Sequence, residues 1–457
     1  MASITEINRK KKGKGWAVRY DYYVENPENP YEPFRKYAKE IFEDEKEAMK
    51  FKIKVEQEKA NNQFIAPSSK TLEEFGYEWL KIYGQKKKWQ PSSFDGNKRA
   101  LEKHINPVMG QMKMQQISPQ DIDRFFNDLQ HKKVDKPQYR GMPESRIPCL
   151  STKSQREIFN TVRTLFSTAV AWRLIDVSPV KRTAPERGKP ERIIWDKNMM
   201  KEALECICDP LLYLAVHLAF ACTLRTGETA AVCIEDIDFE KNKIHIRKTL
   251  QRVNLEALDA MKPKEIYHIF PSKKKNSKSV LVLKKCKTEM SNRRIAIPEA
   301  LKHDLEKRME TVERQKRYFG DKYQDYGLLI CYDDGRPIEP AQLQKMFREW
   351  QHESGLHLPQ ALFKGVRGSS ITFKLKASRG DIKSVQGDSG HATASMVLDT
   401  YGQTNDCDRA EMFDAFTQAF YSDKESEDTN MNFLIESLKK NPRMRDKLLV
   451  ALIAQGS

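Results

Sequence analysis

The sequence predicts a multidomain α+β protein: a small β-sheet-plus-helix N-terminal domain, an all-helical second domain, and a mainly helical third domain with a small antiparallel sheet. Three observations lead there. Runs of aromatic and β-branched residues open the chain, apolar positions then recur at helical spacing from Thr71 to about Pro185, and helical and strand patterns mix from Ile193 onward. At 457 residues the chain suffices for about three domains of roughly 100–200 residues each, and a hydrophobic content of 39% can fill their cores.

The first domain is expected over residues 1–67. Trp16 to Tyr23 and Phe34 to Phe42 read as strands around a Pro/Asn loop, and a helix follows with Asp44 as its N-cap and Ala48, Phe51 and Val55 on one face. The chain opens with Arg9, Lys10, Lys11, Lys12, Lys14 and Arg19 and meets no further acid until Asp21. A basic aromatic strand of this kind suits a DNA groove, or it is a solvated tail on a structural hairpin.

Helices are expected through residues 70–185, carried by Leu72, Phe75, Trp79 and Ile82, by Ile122, Phe125, Phe126 and Leu129, and by Ile158, Val162, Leu165, Phe166 and Ala169. The Pro-containing stretch from His131 to Pro148 reads as a surface loop. Lys86, Lys87 and Lys88 beside Trp89 form a basic patch suited to phosphate, or a solvated helix end.

A Lys/Arg/Pro/Glu-rich linker, Lys181 to Arg192, introduces the third domain, residues 190–421. Lys243 to Gln251, Val280 to Leu283 and Arg294 to Ile297 read as strands, which puts Lys287 near a hairpin tip. Between the first strand and that hairpin, Asn254 to Lys278 is either a DNA-contacting excursion or a plain insertion. Met412, Phe413, Phe416 and Phe420 form an apolar stripe that packs on its own core or on a neighbouring subunit. Residues 422–457 read as an acidic linker and a helical tail.

Eighty Lys and Arg against 64 Asp and Glu leave a charge of +16, which favours a polyanionic partner. The eight cysteines show no C-x-x-C spacing and read as reduced core thiols, without a metal site or cofactor. No signal peptide or long apolar run is present, so the expectation is a cytoplasmic protein with no membrane partner.

Arg225 lies in Leu224-Arg225-Thr226-Gly227-Glu228, Lys287 precedes Ser291-Asn292-Arg293-Arg294, Lys364-Gly365-Val366-Arg367 follows, and Gly390-His391 precedes Tyr401 by ten residues. Singly, each is more often structural. Together, these cations, one imidazole and one phenol suit a phosphodiester. Attack on phosphorus puts charge on the nonbridging oxygens, which guanidinium forks stabilise, and a phenolate is a nucleophile that leaves a reversible phosphoester. The departing oxygen needs an acid, a role open to Lys287.

This pattern resembles the tyrosine recombinases, in particular the integrases of phages and of integrative or conjugative elements. The likeness is specific over about residues 195–405 and looser over 70–185 and 1–65. It implies a site-specific DNA recombinase in which Tyr401 forms a 3′-phosphotyrosyl bond, Arg225, Arg367 and His391 hold the scissile phosphate, Lys287 protonates the leaving 5′ oxygen, and Glu228 supports the site. Where most of the family has His-x-x-Arg, this chain has Lys364-x-x-Arg367; Lys364 belongs to the site, either as base or as phosphate donor. The resemblance further implies a helical domain for core DNA sites, an N-terminal domain for arm sites and a homotetramer on double-stranded DNA, and it suggests DNA-bending and excision-directing partners in a bacterial host cell. The competing reading is a catalytically weakened architectural or regulatory DNA-binding protein on the same fold.

Overall fold

Sheet register and helix capping build two compact units: Met1–Arg192 with Leu250–Lys285, and Ile193–Thr249 with Cys286–Ser457. The computed structural model describes all residues except 1, 10–12, 25–31, 187, 189–192, 262–264, 273–274, 287, 402–412, 415 and 421–457.

In the first unit the strands Ser3–Arg9, Gly13–Val24 and Phe34–Phe42 form an antiparallel sheet with the longest strand central. Alternation sends Trp16, Val18, Tyr20 and Tyr22 to one face, where Ala48, Phe51 and Val55 of the Glu45–Ala60 helix cover them. Asp44 occupies the N-cap, but its side chain makes no capping bond. The opening strand escapes sequence inspection because Ser3–Arg9 is polar; it pairs with Gly13–Val24, and Lys10, Lys11 and Lys12 between them lie outside the described residues.

The helices Leu72–Lys86, Pro91–Ala100, Pro119–His131 and Thr152–Ala171 share one core around Phe75, Trp79, Phe126 and Phe166. Thr71–Glu74 and Ser118–Asp121 capping boxes fix two of the starts. The expected loop before Pro148 holds two short 3-10 turns, Pro137–Tyr139 and Glu144–Arg146, and an antiparallel bridge from Lys133 to Cys149 closes its base.

Leu250–Lys285 departs from the sequence expectation. The strand Ser279–Lys285 pairs with Lys248–Asn254 and Ile266–Phe270, whereas Arg293–Ala296 pairs with Lys243–Ile246 in a different sheet. The strands flanking Lys287 therefore do not form a hairpin with each other. An unbroken apolar run such as Val280–Leu283 marks a buried strand without naming its partner. Within this segment the Leu255–Met261 helix puts Ala257, fully buried, into the helical core, and Gln85 Nε2 donates to the Ala260 carbonyl at 3.0 Å. Glu256 pairs with Lys98, and Lys284 Nζ donates to Gln90 Oε1 at 3.0 Å.

In the second unit the helices Pro210–Ala221, Glu299–Phe319, Pro340–Glu353 and Phe363–Ala377 pack on one another, and the Ile382–Ser389 helix touches the Arg293–Ala296 strand of the small Ile237–Asp238, Lys243–Ile246, Arg293–Ala296 sheet. Phe413, Phe416 and Phe420 are exposed, and Met412, the remaining residue of the stripe, lies outside the described residues. Cys149 and Cys208 are also exposed, against the expectation of core thiols. Among the described residues no helix is long and apolar enough to cross a membrane.

Because Ala257 fills the helical core, Ala257→Leu is expected to overpack it and cost about 1–3 kcal/mol, lowering the thermal unfolding temperature of the full chain. Lys275→Ser, at an exposed position, should leave it unchanged. Unaltered melting of the leucine variant would mean that the segment does not pack there.

Candidate active site

The Leu-Arg-Thr-Gly-Glu spacing lets one carboxylate return to the arginine three residues earlier. Arg225 is the N-cap of the short Thr226–Thr229 helix; its backbone N–H donates to Glu228 Oε2 at 3.1 Å and its Nη1 to Oε1 at 2.6 Å. Glu228 is 3% exposed and also accepts from Arg293 Nη2 at 3.0 Å. Burial alone would raise its carboxyl; Arg293 and Arg225 instead hold it below the ordinary carboxylate range.

The chain reaches Arg225 through a strained turn. Thr223, buried and β-branched, has φ of 54°, a region such residues rarely occupy. Its carbonyl accepts from Arg367 Nη1 at 2.6 Å and Arg293 Nη2 at 3.3 Å, and its hydroxyl lies 3.1 Å from Ser370 Oγ on the helix that carries Arg367. These bonds over-determine the turn, which is what lets such strain persist.

Opposite stands the end of the Ile382–Ser389 helix, whose last carbonyls have no partner within the helix. Three successive carbonyls each take a different arginine: Asp388 from Arg293 Nε at 2.7 Å, Ser389 from Arg367 Nη2 at 2.6 Å, and Gly390 from Arg225 Nη2 at 3.1 Å. Cations at a helix C-terminus are also favoured by its dipole. Gly390 has φ of 63°, and a Cβ there would come within 2.9 Å of the Met290 carbonyl, so only glycine fits.

That cap aims His391 inward. Its Nδ1 lies 2.7 Å from Ser389 Oγ, which donates to the Gln386 carbonyl, and its Nε2 lies 3.4 Å from Arg367 Nη2. A guanidinium can only donate, so a neutral ring meeting Arg367 turns its Nε2 lone pair toward it and leaves Nδ1–H for Ser389. Burial first, and then Arg367, Arg225 and Arg293, lower the imidazole to about 4. Three guanidiniums against one carboxylate leave a positive surplus, as a bound anion requires.

The structure thus brings Arg225, Glu228, Arg367 and His391 together. Lys364 is exposed, one turn before Arg367 on the Phe363–Ala377 helix. Tyr401 ends the Ala394–Tyr401 helix; its side chain and the whole of Lys287 lie outside the described residues. Arg293 falls in the Ser291-Asn292-Arg293-Arg294 run, where residue type does not separate it from Arg294, and Ser389 carries no sequence signal beyond adjacency to Gly390.

The candidate DNA-contacting residues fall on separate surfaces of the first unit. Arg9 pairs with Glu43 at 3.5 Å, Lys14 with Glu6 at 2.8 Å, and Lys10, Lys11 and Lys12 lie outside the described residues. Arg19 faces Lys39 across the uncovered side of the sheet. Such a like-charge pair is unfavourable unless an anion joins it. Lys86, Lys87 and Lys88 are exposed at the end of the Leu72–Lys86 helix, and Lys87 edges an open groove of about 1400 Å³ lined also by Trp89, Arg99, Lys103, Lys132 and Lys133. Burial, with Lys132 and Lys103 adding to it, holds His104 in that groove at about 4.

Comparison with known proteins matches residues 71–130 to the phage integrase N-terminal SAM-like domain and 197–407 to the phage integrase family. A tyrosine recombinase XerC-like protein of Caldanaerobacter subterraneus is 23% identical, covering 64% of this chain and 68% of its own. An integrase of Streptomyces ambofaciens is 21% identical, covering 73% and 77%. Among solved structures, the Tn1549 transposon integrase in complex with a circular intermediate DNA aligns with TM-score 0.55 at 16% identity, over 76% of this chain and 100% of that one. A lambda integrase tetramer bound to a Holliday junction aligns with TM-score 0.50 at 16% identity, over 85% and 96%.

With a folded value near 4 against 6.5 unfolded, His391 is neutral in the native state and binds its proton more readily once unfolded. Its contribution to stability is therefore complete above pH 6.5 and is lost as pH falls toward 4, at up to about 1.4 kcal/mol per pH unit. His391→Gln should flatten the stability profile in that window, measured by denaturant unfolding. An equal acid slope in the variant would contradict a neutral His391.

Proposed function

We propose that this chain, which belongs to the phage integrase family of tyrosine recombinases and is a site-specific DNA recombinase, cuts and rejoins strands through a 3′-phosphotyrosyl intermediate on Tyr401 to integrate and excise a mobile element. The observation that carries this reading is the convergence of Arg225, Arg367 and His391 on one positively charged site around Glu228.

In this reaction the Tyr401 phenol gives its proton to the Nε2 lone pair of His391 as its oxygen attacks phosphorus, and the bond to the 5′ oxygen breaks, leaving a 3′-phosphotyrosyl end and a free 5′ hydroxyl. Lys287 delivers the proton to that oxygen. Arg225 and Arg367 stabilise the nonbridging oxygens, whose charge grows as the attacking bond forms, and Lys364 adds a cation beside them. His391 has its Nε2 lone pair on the inner side; burial and then the arginine field keep this ring unprotonated, and an arriving phosphate offsets that field. A 5′ hydroxyl from the exchanged strand then attacks the phosphotyrosine, restoring the phosphodiester and the phenol, so no external energy source is consumed.

Double-stranded DNA is the partner on both sides of the chain. The basic groove beside Lys87 and Trp89 suits core sites, and the open sheet face with Arg19, together with the basic run of sequence from Arg9 to Lys14, suits arm sites. Exchange between two duplexes uses four protomers, a homotetramer, since each cuts one strand. DNA-bending and excision-directing proteins and a bacterial cytoplasm complete the setting.

A core-site duplex nicked beside the cleavage point releases the short 5′ end and traps the covalent complex. The wild-type chain should accumulate a DNA-linked species on a denaturing gel, and Tyr401→Phe should abolish it while still binding the duplex. A wild-type chain that binds but never links would instead support the architectural reading.

A further inference from the structure

We propose that Arg293, which need not touch the substrate, is the positioning residue that sets the active site's geometry by holding Glu228 away from Arg367 and locking the Asp388–Gly390 backbone beneath His391. This inference rests on the catalytic reading of that site.

Four of the five guanidinium N–H groups of Arg293 are engaged by protein. Nε donates to the Asp388 carbonyl at 2.7 Å, Nη1 to the Ser291 carbonyl at 3.0 Å, and Nη2 to the Thr223 carbonyl at 3.3 Å and to Glu228 Oε2 at 3.0 Å. Its side chain is 6% exposed, against 40% for Arg225. A group so enclosed has at most one N–H to offer a phosphate, whereas a phosphate fork needs two.

Each acceptor is one link from a group assigned to the phosphate. Glu228 holds Arg225, and the Thr223 carbonyl also holds Arg367. Asp388 precedes Ser389, whose carbonyl takes Arg367 and whose hydroxyl meets His391. Ser291 Oγ accepts from Arg225 Nη1 at 3.3 Å and lies 2.8 Å from Thr288 Oγ1, in the turn that follows Lys287. Nη1 lies 3.0 Å from where a Cβ on Gly390 would sit, so the guanidinium also walls the cap that aims His391.

Charge supplies the second half of the argument. Arg367 Nη1 already lies 3.9 Å from Glu228 Oε2. Without Arg293 that buried oxygen loses its nearest cation, and Arg367 is the next one available. Closing that gap would pull Arg367 off the Thr223 and Ser389 carbonyls and away from the phosphate. Arg293 is placed for this work by sheet register: it pairs with Ile246 and faces inward, while the neighbouring Arg294 is exposed.

The test uses the full chain and the nicked core duplex, measuring both the rate of covalent trapping at saturating DNA and the Kd for the duplex. Arg293→Lys keeps the charge but cannot span four acceptors. It should slow trapping by at least about 100-fold with Kd within about threefold of wild type. Arg293→Met should in addition move the His391 ring titration upward from about 4, read by NMR, because a neighbouring cation is gone. Should the methionine variant fail to fold, the lysine variant decides alone. Trapping by Arg293→Lys at the wild-type rate, or rate and affinity falling together, would overturn the proposal. A wild-type chain that forms no covalent complex would instead remove the catalytic reading on which the proposal stands.

Discussion

One buried carboxylate holds this site together. Glu228 lies in contact with the guanidiniums of Arg225 and Arg293 and 3.9 Å from that of Arg367. Three cations packed this closely repel one another in a medium that screens poorly. A single anion between them makes the cluster tolerable, yet leaves a positive surplus for a substrate to satisfy. The helix end at Asp388–Gly390 supplies the rest, since each of its carbonyls ties down one of the same three arginines.

This arrangement explains why a site for a highly charged substrate is built largely from buried groups. Arg293 and Arg367 keep their side chains almost wholly enclosed, and Arg225 keeps the most open face. Preorganised donors of this kind need little reorganisation when charge develops on phosphorus, which is the property that makes them effective. The strained Thr223 turn belongs to the same design: about 1–3 kcal/mol of backbone strain is offset by two guanidiniums on one carbonyl.

Much of this was legible in the sequence. The Leu-Arg-x-Gly-Glu and Gly-His motifs, through their resemblance to the recombinases, pointed to Arg225, Glu228 and His391, and the structure brings these residues to one site. The helical domain declared itself through Phe75, Trp79 and Phe126 at helical spacing. Other features had no local signature. Arg293 and Arg294 are chemically identical neighbours, and only pairing of Ile246 with Arg293 decides which one is buried. The carbonyl strip is backbone and leaves no trace in residue types. The destination of Leu250–Lys285 depends on the Leu255–Met261 helix meeting the Leu72–Lys86 and Pro91–Ala100 helices, with partners 175 and 158 residues apart at Gln85–Ala260 and Lys98–Glu256, a distance that periodicity cannot cross.

The most direct test of the carboxylate's role is the covalent trapping rate of Glu228→Gln at saturating core DNA, set beside its DNA affinity. An amide keeps the shape but loses the charge and turns one acceptor into a donor facing guanidinium. Trapping should fall by at least about 100-fold while affinity stays within about threefold. Trapping at the wild-type rate would mean that the arginines hold their places without Glu228, contradicting the account.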